Sequence, residues 1–246
     1  MRSQTLVAAA VLSLSVAVDA VQVQSQSAPD PRGSRLTEHV DTLESFLIRG
    51  RDTTRYGRAI DELRIVERQG RRVLQRVYRS EALGSGAQVD TLIDDFETLA
   101  PIQQTSRSSR AIELIAFSSS RAIGWMWQPT GDSLRIDVPL NGRTFSSSSF
   151  DLVLRASPLA DGWRTSVPAF VTSSRAVVPM TARVNGKEVV DGVSCFRVDA
   201  EFQGMPVTFW IAEASRRMCK QEMRPQVGLV LLFRSPKATR DRIGAT

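Results

Sequence analysis

A mainly β (α+β) fold is predicted, a curled antiparallel sheet or half-barrel of about 10–11 strands with an N-terminal helix and one short internal helix. Three observations predict it. From residue 60 onward apolar residues alternate with polar ones, the alternating segments are separated by short turn signals that force neighbouring strands to run antiparallel, and only two segments place apolar residues three and four apart. With 246 residues, and about 150 residues per domain as the usual prior, one domain is expected. A chain that is 42% hydrophobic and 24% charged is neither disordered nor fibrous.

The elements follow in order. Arg2 precedes an apolar run over residues 6–18, and Val18-Asp19-Ala20 offers small residues at the positions a signal peptidase reads, so residues 1–20 are expected to be a signal peptide cut near Ala20. The run is short of the roughly 20 residues of a membrane span, and no integral membrane segment is expected in the mature chain. The protein is thereby placed in the periplasm or outside the cell. Residues 21–33, polar with two prolines, read as a disordered spacer. Leu36, Val40, Leu43, Phe46 and Leu47 form a helical stripe, with Ser34 or Thr37 as cap and Gly50 as stop, and His39 falls off that stripe as a solvated residue.

Strands are expected at 63–66 and 72–81, then at 112–117 and 122–127, where Ile123, Trp125 and Trp127 share one face. Residues 134–140 alternate strictly, and Asn141-Gly142 after them offers a tight hairpin turn. Phe150, Val153 and Leu154, behind the serines at 146–149, mark a capped helix of about two turns. Strands resume at 163–171 and 175–185, the latter closed by Asn185-Gly186, and a meander follows over 194–202, 207–213, 216–223 and 229–234. In 196–202 the even residues face the core, and Arg197, Asp199 and Glu201 face water. Residues 34–235 thus form a single domain, and 236–246 a flexible basic tail.

The motifs carry little chemistry. One histidine and two cysteines cannot build an ordinary zinc site or a hydrolytic triad, there is no nucleophile elbow or Ser-x-x-Lys pair, and the neighbours Asp61-Glu62 and Asp94-Asp95 would point to opposite faces of a strand. No catalytic residue, metal ligand or cofactor is therefore expected. The net charge of +6 comes from Arg scattered along the chain, without a nucleic-acid motif, so no nucleic-acid partner is expected.

The stretch 90–101, the Ser-Pro-Leu-Ala-Asp-Gly-Trp core within 150–170, Val184-Asn-Gly-Lys-Glu, 191–198 and 208–217 resemble the phrases of exported bacterial proteins of a domain-of-unknown-function family. Those proteins are similar in fold to the periplasmic lipoprotein carriers LolA and LolB. The resemblance implies a curled sheet with helices plugging its concave side, where the carriers receive acyl chains. It names no cargo, so an exported, non-catalytic protein binding a lipid or other apolar ligand stands beside a structural or accessory envelope protein that docks on a protein partner. Trp125, Trp127, Phe209 and Ile211 are the candidate lining.

For Cys195 and Cys219 two outcomes stay open. Export favours a disulfide, worth about 3 kcal/mol if unstrained. Strand pairing instead puts them on non-adjacent strands, offset by about 10 Å across and as much along, too far for a bridge unless a bulge intervenes.

Overall fold

The computed structural model describes residues 30–84 and 86–235, so the expected signal peptide and basic tail lie outside the described residues. The first half of the chain forms β1 (His39–Arg49), β2 (Asp52–Arg68), β3 (Arg71–Ala82), β4 (Gly86–Asp95), β5 (Pro101–Ser108), β6 (Ile112–Phe117), β7 (Arg121–Trp127) and β8 (Ser133–Pro139). After the two-residue β9 (Phe145–Ser146) comes helix α1 (Phe150–Ala156). The second half forms β10 (Arg164–Val171), β11 (Ala176–Val190), β12 (Val193–Phe202), β13 (Met205–Ala212), β14 (Met218–Gln226) and β15 (Leu229–Arg234).

All fifteen strands belong to one sheet, in the order β8-β7-β6-β5-β4-β3-β2-β1-β15-β14-β13-β12-β11-β10-β9. Every pair is antiparallel except β9 with β10. The chain therefore meanders from the centre to one edge, crosses to the other edge and meanders back, and β15 closes the middle by pairing with β1 from Glu44↔Arg234 to Arg49↔Leu229. Tight turns make this order possible. Gln69-Gly70 and Gln203-Gly204 both carry two consecutive positive φ angles, 51° and 73° in the first and 49° and 76° in the second, the geometry that matches the twist of paired strands.

Four expectations need correction. The segment expected to be an N-terminal helix is β1: His39, Asp41, Leu43 and Ser45 are buried at alternate positions, a period of two hidden by the polar character of three of the four. The strand number is fifteen because β1, β4, β5 and β9 were not foreseen. In β5 the inward Gln104 is polar although only 4% exposed, so β5 shows no apolar alternation. Asn185-Gly186 is a bulge inside β11, where pairing slips between Val184 and Lys187, and the turn falls at Asp191-Gly192 instead. Asn141-Gly142 joins no hairpin: it leads from one sheet edge, β8, to the other, β9.

The short internal helix is found at 150–156, and it plugs the concave face. Phe150, Leu152, Val153, Leu154 and Ala156 are buried in the main core with Leu63, Leu74, Val167, Val198 and Ile211. Its last carbonyl, Ala156 O, accepts from Arg32 N at 3.0 Å and Arg35 Nη1 at 2.8 Å, so part of the stretch read as spacer caps the helix end. Gly33 beside it approaches Phe96 O so closely that a Cβ would sit 2.1 Å from that oxygen.

The sheet's two ends meet without hydrogen-bonding as strands. Ile115, Ala122, Ile136 and Leu140 from one end pack with Phe170 from the other, the Phe117 and Phe170 rings meet edge to face at 5.6 Å, and Gln104 Nε2 donates to Thr172 Oγ1 at 3.1 Å.

Candidate functional site

The curl leaves a cavity of about 350 Å³ between the N-terminal end of α1 and the concave face. Inward positions of β11 to β15 supply an apolar wall: Met180, Phe202, Met205, Val207, Phe209, Met218, Met223 and Phe233, with Phe150 of α1 facing them. Phe150 and Phe209 stack edge to face at 6.5 Å. The opposite wall, from β1–β4, α1 and the turn before it, is mainly polar: Asp61, Arg76, Tyr78, Asp90, Ser147, Ser148 and Asp151, beside Leu43 and Leu92. A cavity of this size lies within the range of small-molecule sites, and its two walls suit an amphiphile.

An ion-pair network holds the polar wall. Arg76 Nε and Nη2 donate to the two oxygens of Asp61 at 2.7 and 3.0 Å, and Nη1 donates to Asp151 Oδ1 at 2.6 Å. Arg155, 1% exposed, lies behind, its Nη1 3.8 Å from both carboxylates and its Nε donating to Arg216 O at 2.7 Å. Asp151 and Arg155 are one helical turn apart, so one face of α1 presents both charges to the sheet. Burial alone would raise the Asp61 carboxyl. The Arg76 charge and its two hydrogen bonds, with the Arg155 charge behind them, overcome it and hold the group well below the usual carboxylate range.

His39 is 7% exposed, correcting its expected place in solvent. Its Nδ1 lies 2.8 Å from Thr37 O and its Nε2 3.4 Å from Arg155 Nη2, contacts that fit a neutral ring donating from Nδ1. Burial and the Arg155 charge accordingly lower its pKa. Asp41 on the same face pairs with Arg217. Asp94, one inward position beyond Leu92, is pushed up to about 7 by burial, and its Oδ2 has no hydrogen-bond partner among the described residues.

Of the four lining candidates, Phe209 lines the cavity. Ile211 faces the same way but is fully buried in the core rather than at the cavity surface. Trp125 and Trp127 must be corrected: they share a face as expected, but it is the outer one, and they are 43% and 39% exposed. The inward positions of β7 fall to Ala122, Gly124 and Met126, and at Gly124 a Cβ would sit 2.1 Å from Leu114 O of β6. The four cavity methionines went unread, although four of the chain's six fall within 180–223 at inward positions.

Both cysteines are buried and free. Cys195 pairs with Ala212, and the slip in β13–β14 pairing between Lys220 and Met218 places Cys219 beside them, in one cluster with Trp210. The offset along the strands is therefore reduced to one or two residues.

Fold and site together define a class: mainly β proteins in which one curled sheet wraps a short helix and leaves a cavity with one apolar and one polar wall. The chain belongs to the DUF3108 family of proteins of unknown function, whose model matches residues 45–233. This meets the expectation of a domain-of-unknown-function family. Among solved structures, the β-barrel-like protein of domain of unknown function DUF1849 from Brucella abortus is similar in fold, with a TM-score of 0.52 at 11% identity over 84% of this chain and 98% of that one. A putative outer membrane lipoprotein-sorting protein domain from Vibrio parahaemolyticus matches at a TM-score of 0.27 and 12% identity, over 83% of this chain and 86% of that one, too little to carry an argument. No curated protein matches the chain. Among the described residues no helix is long and apolar enough to cross a membrane.

Proposed function

We propose that this is an exported, non-catalytic binding protein that takes a lipid or other apolar ligand into the cavity between α1 and β11–β15. The observation that carries the reading is the methionine-rich wall: Met180, Met205, Met218 and Met223 around about 350 Å³ of space. Methionine is unbranched and polarizable, so such a wall can repack around chains of differing shape. The polar wall supports binding rather than catalysis, because its one cation is already engaged, Arg76 donating to both Asp61 and Asp151, and because the histidine behind it, His39, does not line the cavity.

Export rests on the apolar run at residues 6–18 and the small-residue site before Val21. Native mass spectrometry of protein recovered from an envelope fraction tests both parts: the expected result is a chain beginning near Val21 that carries a co-purified apolar adduct. The variant Ala200→Phe, which fills the cavity from β12, should bind an environment-sensitive apolar dye at least about tenfold more weakly than wild type. Unchanged dye binding by a folded Ala200→Phe protein sinks the reading.

A further inference from the structure

The sheet also carries an exposed apolar patch on the side away from the cavity. By strand register, Ile112 of β6 lies opposite Trp127 of β7, Leu114 opposite Trp125, and Ala116 opposite Ile123. The large side chains of this patch are 39–46% exposed. Nothing inside can take them, because the inner face of β6–β8 is filled at the seam by Ile115, Ala122 and Ile136, each 0% exposed. Soluble monomers seldom leave so many large apolar side chains contiguous on an outer face.

The neighbouring outward positions are basic. Arg107 of β5 lies opposite Ile112, Arg135 of β8 lies opposite Trp125, and Arg121 begins β7. Against these three arginines the outward positions of β5–β8 hold one carboxylate, Asp137, which pairs with Arg121 and Arg135. Arg107 has no carboxylate partner among the described residues. Among the described residues neither indole N–H of Trp125 and Trp127 has a hydrogen-bond partner. Indoles with an apolar body and an outward N–H, ringed by arginines that outnumber the carboxylate among them three to one, match a surface that offers acyl chains, ester carbonyls and phosphates within a few ångströms of depth.

We propose that the outer face of β6 and β7 is a docking surface for an anionic lipid bilayer, with Trp125, Trp127, Leu114 and Ile123 entering the interface and Arg107, Arg121 and Arg135 meeting phosphates. The proposal stands apart from the cavity, whose lining it does not use.

Vesicle sedimentation tests it, using the full chain with phosphatidylcholine vesicles alone or mixed with phosphatidylglycerol. Binding is expected to the mixed vesicles, about tenfold or more tighter than to phosphatidylcholine alone, and to weaken in 1 M salt, where the Debye length is only about 3 Å. The exposed double variant Trp125→Ser/Trp127→Ser should lose binding by about tenfold or more while dye binding in the cavity is unchanged. Arg107→Glu, which leaves the apolar patch intact, should weaken binding to the mixed vesicles alone. Absence of binding at low salt overturns the proposal, as does binding that survives the double tryptophan change. A concentration-dependent dimer abolished by that double change also overturns it, because the patch would then join two copies of the chain.

Discussion

Asp94 and Asp61 show how one environment sends two carboxyl groups in opposite directions. Asp94 is buried with no ion-pair partner among the described residues, so burial outweighs the Arg76 charge and raises it to about 7, and its protonated form is the one the fold favours. Its contribution is fully present below the unfolded value near 3.8 and is lost as pH rises through 7. Asp94→Asn, which mimics the protonated acid, should therefore gain more Tm over wild type at pH 8 than at pH 5, and an equal difference at both would count against the assignment. Asp61 has the opposite sign: Arg76 and the bonds around it outweigh burial and lower it, so its contribution is present above 3.8 and is lost in more acid solution. Asp61→Asn leaves Arg76 and Arg155 undercompensated and should cost about 3–5 kcal/mol at neutral pH, read by urea denaturation. That excess cost should shrink below pH 4. None of this network was legible beforehand, since Asp61, Arg76 and His39 meet only when β1, β2 and β3 pair, and the one local signal was the i,i+4 pair Asp151 and Arg155.

At the scale of elements, α1 was legible and β1 was not, for related reasons. The helix signal at 150–156 is apolar spacing behind a serine run, and Ser146 Oγ does accept from Ser148 N at 3.2 Å to start the turn. The apolar residues Leu36, Val40, Leu43, Phe46 and Leu47 have helical spacing, yet β1 buries His39 and Asp41 with Leu43 because charged partners wait for them on β2, the β13–β14 turn and α1. A pattern rule that treats polar residues as exposed cannot see a face that is buried and ionic. The helix itself is held by both means. Leu152→Ala removes a side chain with 0% exposure from the main core and should cost about 2–5 kcal/mol in denaturant unfolding. A cost under about 1 kcal/mol would mean that the ionic face alone seats α1.

For the molecule as a whole, the turn dipeptides made the meander readable, but they could not show that β8 and β9 are its two edges, because the residues that bring those edges together are far apart in sequence. Phe170 of β10 is the centre of that seam: it is 0% exposed and joins Ile115, Ala122, Ile136 and Leu140 with the Phe117 ring against it. Backbone hydrogen bonds do not link β8 to β9 or β10, so the seam rests on this apolar cluster and on the Gln104 contacts to Ser146 and Thr172. The middle of the sheet is different, since β1, β2 and β3 are long and continuously paired. Stability should therefore be graded from the centre outward. Phe170→Ala, expected to cost about 3–5 kcal/mol, should raise amide exchange first in β6–β8, which have no neighbour beyond β8, while β1–β3 keep their protection until global unfolding. Uniform loss of protection across the sheet would instead mean that curl and seam form one cooperative unit, and the cavity, whose apolar wall is carried by the half that includes β10, would then empty only when the whole protein unfolds.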